Sequence, residues 1–247
     1  MNAANTLPGL RFALSGLLAT PAIVPRKAMN NPEHESARMK GLDAAAHEAF
    51  LLFGESREPI SRAVLDERIT VCMADPAWPS WFRQEAARLR SALPGDLVPD
   101  IQHIGSTAVP GLDAKPIVDL MVGIGEPGRI ADVVERLETL GYESLREAGV
   151  PGRWALRKRD AAQPCNIAIV AHEDGWWKIN LAVRDFLRSN AEAARSYASA
   201  KWHAVDSGAD MLLAYSEAKR AIIEKIVAEA RVLPAPDPRA VPCEEVK

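Results

Sequence analysis

Cysteine is scarce in this sequence, which has three in 247 residues. Cys72, Cys165 and Cys243 are far apart, and none lies in a CxxC or Cys/His metal-binding spacing. This odd, scattered set excludes a disulfide framework and a zinc module, and it predicts free thiols in a reducing compartment. We therefore expect a cytoplasmic protein.

Long apolar runs are also missing. No run reaches the ~20 apolar residues that a membrane helix needs, so we expect no membrane partner. The apolar stretch at residues 11–24 is too short for a span and is interrupted by Pro21. A cleaved signal or transit peptide is therefore the less favoured interpretation of this stretch.

Charge of one sign is not in excess, since 30 Lys and Arg residues face 33 Asp and Glu residues and the net charge is −3. Such a balance gives no overall attraction to nucleic acid, and we expect no nucleic-acid partner. A site for a polyanion would have to be a local cluster. The hydrophobic share of 48% and the charged share of 26% are typical of a globular protein with a buried core.

The composition along the chain divides it into four regions. Residues 1–39 mix Pro, Asn, Ala and Ser without periodicity and are predicted to be disordered. Residues 40–68 have apolar positions at helical spacing and are predicted to form an N-terminal helical appendage. Residues 69–231 are predicted to form the main domain, and residues 232–247 a Pro-rich disordered tail.

Strand and helix patterns are mixed in the first part of the main domain, and helical patterns fill the second part. The predicted strands are 69–73, 101–104, 117–124, 142–145, 153–158 and 166–170, and the predicted helices are 80–93, 127–140 and most of 175–231, with a break near Ser207. This order predicts an α+β fold with a mixed β-sheet, flanking helices and a C-terminal helical segment.

One run suggests a binding site. Residues 103–119 read His-Ile-Gly-Ser-Thr-Ala-Val-Pro-Gly-Leu-Asp-Ala-Lys-Pro-Ile-Val-Asp. Gly105 lets the backbone approach a ligand closely. The hydroxyls of Ser106 and Thr107, with neighbouring amides, can form a concavity that binds an anion.

Two charged residues complete this run. Lys115 can place a positive charge against a phosphate. Asp119 lies in an apolar strand, where a lone carboxylate has to be paired or to hold a cation. Taken singly, these residues are also explained by a tight turn and a structural hydrogen bond. Taken together, the spacing of the Gly-Ser turn and the later carboxylate favours a functional site.

The run resembles the signature of the GrpB family, a branch of the nucleotidyltransferase-fold superfamily. The similarity also covers Asp75–Pro79, Gly149–Arg153, Val183–Arg188 and the Tyr-x-x-x-Lys pairs at 197–201 and 215–219. It extends over about residues 69–231 and leaves the two ends of the chain unexplained. The resemblance implies a nucleotidyltransferase-like mixed sheet.

The resemblance also implies roles for single residues. The Gly-Ser turn of the superfamily holds nucleotide phosphates, so Ser106 would contact phosphate together with Gly105, Thr107, Lys115 and Arg184. Superfamily carboxylates hold Mg²⁺ for displacement at phosphorus. The position that matches the first of them is Asp119, as catalytic residue and metal ligand.

This sequence departs from the superfamily pattern at the other acids. The second acid lies two residues after the first, and that position is Met121. The third comes from a neighbouring strand, where this chain has Asn166 and Ala168. Met121 and Ala168 cannot ligate Mg²⁺, and Asn166 offers only a neutral oxygen.

Three functions stay open at this stage. The first is a protein that binds a nucleotide or a phosphorylated small molecule with Mg²⁺ and transfers a nucleotidyl group to an unknown acceptor. The second is a catalytically impaired module that keeps the phosphate loop without the metal centre. The third is an interaction protein in which residues 40–68 form a homo-oligomer.

Other polar residues have two interpretations each. Arg153 and the cluster at 157–159 either face the loop and bind phosphate or belong to a charged edge strand. Lys201 and Lys219, each four residues after a Tyr, either reach a triphosphate or pack their stems on the Tyr ring. His103 either makes a polar contact at the strand end or transfers a proton.

Overall fold

The computed structural model describes residues 66–147, 152–159 and 162–232. The predictions for residues 1–39, for most of the appendage at 40–68 and for the Pro-rich tail lie outside the described residues. The oligomerisation predicted for the appendage therefore stays a prediction.

Five strands form one mixed sheet in the described part of the chain. They are β1 (Asp100–Ile104), β2 (Val118–Ile124), β3 (Glu143–Ser144), β4 (Trp154–Lys158) and β5 (Cys165–Ala171). Their order across the sheet is β1-β2-β5-β4-β3. β2 and β5 run parallel, and the other neighbouring strands run antiparallel.

Helices cover both faces of this sheet. The α-helices are α1 (Trp78–Ala92), α2 (Ile130–Thr139), α3 (Gly175–Ser189), α4 (Ala191–Asp206), α5 (Leu212–Ala218) and α6 (Arg220–Val232), with single 3₁₀ turns at Ser106–Ala108 and Pro127–Arg129. Apolar side chains of α1 and α2 pack on one face, and those of α3 and α6 pack on the other. The predicted α+β class, with a mixed sheet, flanking helices and a C-terminal helical segment, is confirmed.

The central strand β2 shows why the sheet needs helices on both sides. Leu120 and Val122 pack into the apolar cluster formed with α1 and α2. Met121 points the other way, into the cluster formed with α3 and α6. A strand that is apolar on both faces has to be covered on both, and Asp119 is the charged side chain within it.

The strand predicted at 69–73 is wrong. Cys72 forms an isolated bridge to Ala114, with backbone hydrogen bonds in both directions, and Arg68 forms another to Met211. Both partners lie outside the sheet strands, so the segment has no neighbouring strand along which a ladder could extend. Its apolar residues Ile69 and Val71 are nevertheless buried, which explains the strand-like pattern.

The helical half of the chain breaks more often than the sequence predicted. The break near Ser207 is confirmed, and further breaks occur at Asn190 and Lys219. The Asn190 side chain accepts a hydrogen bond from the backbone N–H of Ala193, 3.0 Å away. Asn190 is thus the N-cap of α4, which is a common role for asparagine between helices.

The α-helices in the described part of the chain are at most 16 residues long. None of them combines the length and the apolar character that crossing a bilayer requires.

Candidate functional site

The Gly-Ser loop turns sharply at the end of β1. Gly105 has φ = 71°, in the region that favours glycine, and the Ser106–Ala108 turn follows it. A Cβ atom on Gly105 would lie 2.4 Å from Oδ2 of Asp119. Glycine at this position therefore allows the loop to rest directly against the β2 carboxylate.

Asp119 is held by a chain of polar contacts across β2 and β5. It is paired with Asn166 in the parallel register, and Nδ2 of Asn166 donates to Oδ1 of Asp119 over 2.7 Å. Nη2 of Arg159 in turn donates to Oδ1 of Asn166 over 2.8 Å. Burial raises the pKa of Asp119, while the charge of Lys115 and the Asn166 hydrogen bond oppose that shift.

A pocket opens beside this carboxylate. Eight of the ten residues that line it have polar side chains, and the ten are Ser106, Thr107, Ala114, Lys115, Ile117, Asp119, Tyr197, Lys201, Tyr215 and Lys219. Four of the residues predicted as site residues therefore line one cavity: Ser106, Thr107, Lys115 and Asp119. The remaining polar groups come from α4, α5 and the residue between α5 and α6.

Lys115 carries a buried ammonium group in this pocket. Its Nζ has no hydrogen-bond partner among the described residues. Burial lowers the pKa of Lys115, whereas the negative charges of Asp119 and Glu67 oppose the shift. Burial of a donor removes its hydrogen bonds to water, and here no protein acceptor replaces them. Lys115 is therefore suited to binding an anion.

Lys201 and Lys219 reach the pocket from the C-terminal helices. Nζ of Lys201 lies 4.4 Å from the ring centre of Tyr197 and donates to the Asp113 carbonyl. Nζ of Lys219 lies 3.9 Å from the ring centre of Tyr215. The packing of these lysines on the Tyr rings is therefore confirmed, and their contact with a triphosphate stays a prediction.

These two lysines are also poorly solvated. Lys201 and Lys219 are 1% and 2% exposed. Burial lowers the pKa of Lys201 to about 7. Burial lowers the pKa of Lys219 well below its ordinary value, and the positive charges of Lys115 and Lys201 lower it further.

The sequence singled out neither of the pocket tyrosines as a site residue. Tyr197 is buried and shares a hydrogen bond with Ser106, and burial raises the pKa of its hydroxyl to about 12. Tyr215 is 1% exposed and lies under Lys219. The Tyr-x-x-x-Lys spacing was the signal that could have identified both, since it puts the two side chains on one helix face.

Arg184 lies outside the pocket lining. Its Nη1 donates to Oε1 of Gln102 over 2.8 Å and to the carbonyl of His103 over 3.2 Å, and its Nε donates to Asp185 over 2.7 Å. These contacts tie α3 to β1 and support the strand that precedes the loop. A direct phosphate contact by Arg184 stays a prediction.

His103 makes the polar contact at the strand end. Its Nε2 lies 3.0 Å from Oγ1 of Thr107, and its ring stacks on Phe82 with ring centres 4.6 Å apart. Burial, followed by the charges of Arg188 and Arg184, lowers the pKa of His103 to about 4. The imidazole is therefore neutral at pH 7, and its contact with the Thr107 hydroxyl fixes the position of that group beside the strand end.

The described residues do not fit a Mg²⁺ ion held by protein acids. Among them, no three His, Cys, Asp or Glu side chains lie close enough to share a metal. Met121 is fully buried in an apolar cluster and pairs in register with Ala168. The amide oxygen of Asn166 already accepts from Arg159, which leaves Asp119 as a single carboxylate.

Known proteins with similar sequences cover the same part of the chain. A family model described as GrpB protein matches residues 68–229. A UPF0157 protein of Pseudomonas aeruginosa is 36% identical over 174 residues, which are 67% of this chain and 69% of that protein. A UPF0157 protein of Halalkalibacterium halodurans is 32% identical over 165 residues, which are 66% of this chain and 82% of that protein.

A solved structure agrees with this assignment. The crystal structure of the conserved protein GrpB from Enterococcus faecalis is similar, with 33% sequence identity and a TM-score of 0.60. The similarity covers 65% of this chain and 96% of that one.

Proposed function

This chain belongs to the GrpB family, and we propose that its pocket binds a nucleotide or another phosphorylated small molecule. The observation that carries the proposal is the charge of the lining: three lysines, Lys115, Lys201 and Lys219, surround the single carboxylate of Asp119. Buried cations that outnumber their counterions are stabilised by an anionic ligand.

The loop supplies the groups that would orient a phosphate among these lysines. Ser106 and Thr107 line the same cavity. Each hydroxyl can donate a hydrogen bond to a phosphate oxygen. Lysine ammonium groups add positive charge with less directional demand, so together the two kinds of group suit a tetrahedral anion.

Transfer of a nucleotidyl group to an unknown acceptor is the further step implied by the family resemblance. Met121 and Ala168 occupy the positions where the other acids would lie, and both are unable to bind a metal. This favours the second candidate function, a module that binds the phosphorylated ligand without transferring it.

The predicted Mg²⁺ stays a prediction for the ligand-bound protein. Magnesium is commonly bound by one or two carboxylates together with substrate phosphates. In this pocket the ligand would have to supply most of the coordinating oxygens, since the lining contributes only the Asp119 carboxylate.

The test is thermal-shift titration of the full chain with AMP and ATP, each with and without Mg²⁺. Binding to the folded state should raise the melting temperature by mass action, by several degrees at saturating ligand. Lys219→Met and Ser106→Ala should reduce the shift. Lys225→Met, in α6, is the matched control because its side chain is 67% exposed, and it should leave the shift unchanged.

The variant Asp119→Asn distinguishes direct binding of the anion by the lysines from binding of the anion through Mg²⁺. If the lysines bind the anion directly, removal of the opposing charge should tighten ATP binding without Mg²⁺ by about three- to tenfold. If Asp119 acts through Mg²⁺, the same variant should weaken ATP binding only when Mg²⁺ is present. Absence of any shift with AMP, ATP or inorganic phosphate at millimolar concentration would contradict the proposed function.

A further inference from the structure

Lys219 brings a deeply buried amine to the lining of the pocket. It is the C-cap residue of α5 and is 2% exposed. Its Nζ lies over two aromatic rings, 3.9 Å from the ring centre of Tyr215 and 5.9 Å from that of Tyr197. The faces of two rings replace only a small part of the hydration that a buried ammonium group loses.

The other two lysines of the lining have better compensation for a positive charge. Nζ of Lys201 donates a hydrogen bond to a backbone carbonyl in the loop before β2. The negative charges of Asp119 and Glu67 both favour the ammonium form of Lys115. One carboxylate in the lining does not balance three buried ammonium groups, so the proton is lost most readily from Lys219.

The neighbouring charges act on Lys219 in the same direction. Burial lowers its pKa well below the ordinary value, and the positive charges of Lys115 and Lys201 lower it further. A lysine that is desolvated and lies near other cations keeps a free electron pair and is a nucleophile. An exposed lysine, by contrast, is a neutral amine at pH 7 in fewer than about one molecule in a thousand.

We propose that Lys219 is a carbonyl-reactive lysine, and that the pocket takes a phosphorylated aldehyde or ketone whose carbonyl carbon forms an imine with its Nζ. This inference rests on the proposed function, in which Lys115 and Lys201, with Ser106 and Thr107, hold the phosphate. All five residues line one cavity. One small ligand can therefore contact the phosphate-binding groups and the amine together.

The imine forms without a co-reactant. The electron pair of Nζ adds to the carbonyl carbon, and the carbinolamine that results loses water. A C=N bond replaces the C=O bond, and both hydrogens of the amine leave with the carbonyl oxygen. Once protonated, the imine carries the charge of a lysine ammonium group, and Asp119 is the carboxylate of the lining that opposes this charge. The covalent bond thus retains the positive charge that the phosphate site requires.

The experiment traps the imine by reduction. The full chain is incubated at pH 7 with glycolaldehyde phosphate and sodium cyanoborohydride, and intact mass and peptide mapping locate the product. We expect one ligand attached, at Lys219, and at least about tenfold less product with glycolaldehyde, which lacks the phosphate that positions the carbonyl. Attachment at exposed lysines instead of Lys219, or equal labelling by the two aldehydes, would overturn the inference.

A variant with a conservative change distinguishes the reaction from phosphate binding. Lys219→Arg keeps the positive charge, but its guanidinium group stays protonated and forms no imine. Trapping should therefore be lost, while inorganic phosphate should still raise the melting temperature. Lys225→Met, whose side chain is 67% exposed in the wild type, is the control and should keep full trapping. If Lys219→Arg shows no folded baseline, peptide mapping of the wild-type product still identifies the reacting lysine.

The two levels of the proposal fail differently. A rise in melting temperature with glycolaldehyde phosphate, but without any trapped product, would overturn the imine and leave the proposed function standing. No trapped product, together with no shift by glycolaldehyde phosphate, AMP, ATP or inorganic phosphate, would overturn both.

Discussion

A close approach between Gly105 and Asp119 shapes the pocket at the scale of single residues. The glycine has a positive φ, and a methyl group there would meet the carboxylate at 2.4 Å. Any substitution of Gly105 therefore lowers the stability of the fold in two ways. One is the backbone conformation, and the other is the collision with a side chain that has its own hydrogen bond to Asn166.

Gly105→Ala should destabilise the protein by about 2–4 kcal/mol, measured by urea denaturation. Gly111→Ala is the matched control, because Gly111 has φ = 74° but open space around its Cα. The control should cost only about 1 kcal/mol, which is the conformational part. Equal losses of stability in the two variants would show that the Asp119 side chain moves away from the new methyl group at little energetic cost.

Residues close together in sequence were the ones that the sequence predicted best. Ser106, Thr107, Lys115 and Asp119 belong to one strand-loop-strand segment, and the fold brings them into one pocket. Local geometry alone nearly guarantees this, since a turn and its two antiparallel strands keep their side chains near each other. Arg184, from a later helix, does not line the pocket because its donors are used on β1.

At the scale of elements, the helices α4 to α6 decide the charge of the site. Lys201 and Lys219 were left with two interpretations because sequence spacing places a Tyr and a Lys on one face but does not say what that face contacts. The breaks at Asn190 and Lys219 were missed for a related reason. The apolar periodicity of the sequence continues across each of these short breaks. The helix axis changes direction at the break, and the periodicity does not record that change.

Lys201 should make stability depend on pH. Its pKa in the folded protein is about 7, below the ordinary value of 10.5. The unfolded chain therefore binds more protons between these values, and stability contributed by this group rises as pH increases from 7 toward 10.5. At pH 7 the buried, partly protonated amine costs on the order of 4 kcal/mol, at about 1.4 kcal/mol for each pKa unit.

Lys201→Met should consequently be more stable than wild type at pH 7, and the difference should shrink at pH 9.5. Melting curves at the two pH values measure it, with Lys225→Met as the exposed control. A constant difference between Lys201→Met and wild type across this pH range would contradict the low pKa.

At the scale of the whole molecule, the balanced charge of the chain conceals a positive pocket. The net charge is −3, yet the lysines of the pocket come from distant parts of the sequence. The composition argued against a general electrostatic attraction of the protein to nucleic acid. It could not reveal a cluster of lysines that forms only when the chain folds. Fold class was predictable because strand and helix patterns follow their order along the chain.

The segment before the first helix is joined to the site by an ion pair. Glu67 accepts two hydrogen bonds from Arg159, at 2.8 and 2.9 Å, and Arg159 also holds Asn166. Burial raises the pKa of Glu67, but the Arg159 hydrogen bond and charge outweigh it, so the pKa is lowered. The stability from this carboxylate is therefore present above its ordinary pKa of 4.5 and is lost as pH falls through the lower folded value.

Glu67→Gln should cost about 1–2 kcal/mol at pH 7 in chemical denaturation, and the loss should diminish below pH 4. Glu143→Gln is the control, because Glu143 pairs with Arg157 but its side chain is 53% exposed. An exposed pair of this kind contributes about 0.5 kcal/mol or less. Similar losses in both variants would mean that Glu67 has no special role in supporting Asn166.

The contact between Gly105 and Asp119 also limits how this sequence can evolve. A larger residue at position 105 becomes acceptable only after position 119 has become smaller, and a smaller residue there removes the carboxylate from the pocket. The two positions should therefore show epistasis in a combinatorial library. Surviving clones with alanine at 105 should be enriched in alanine or glycine at 119, and clones that keep aspartate should keep glycine.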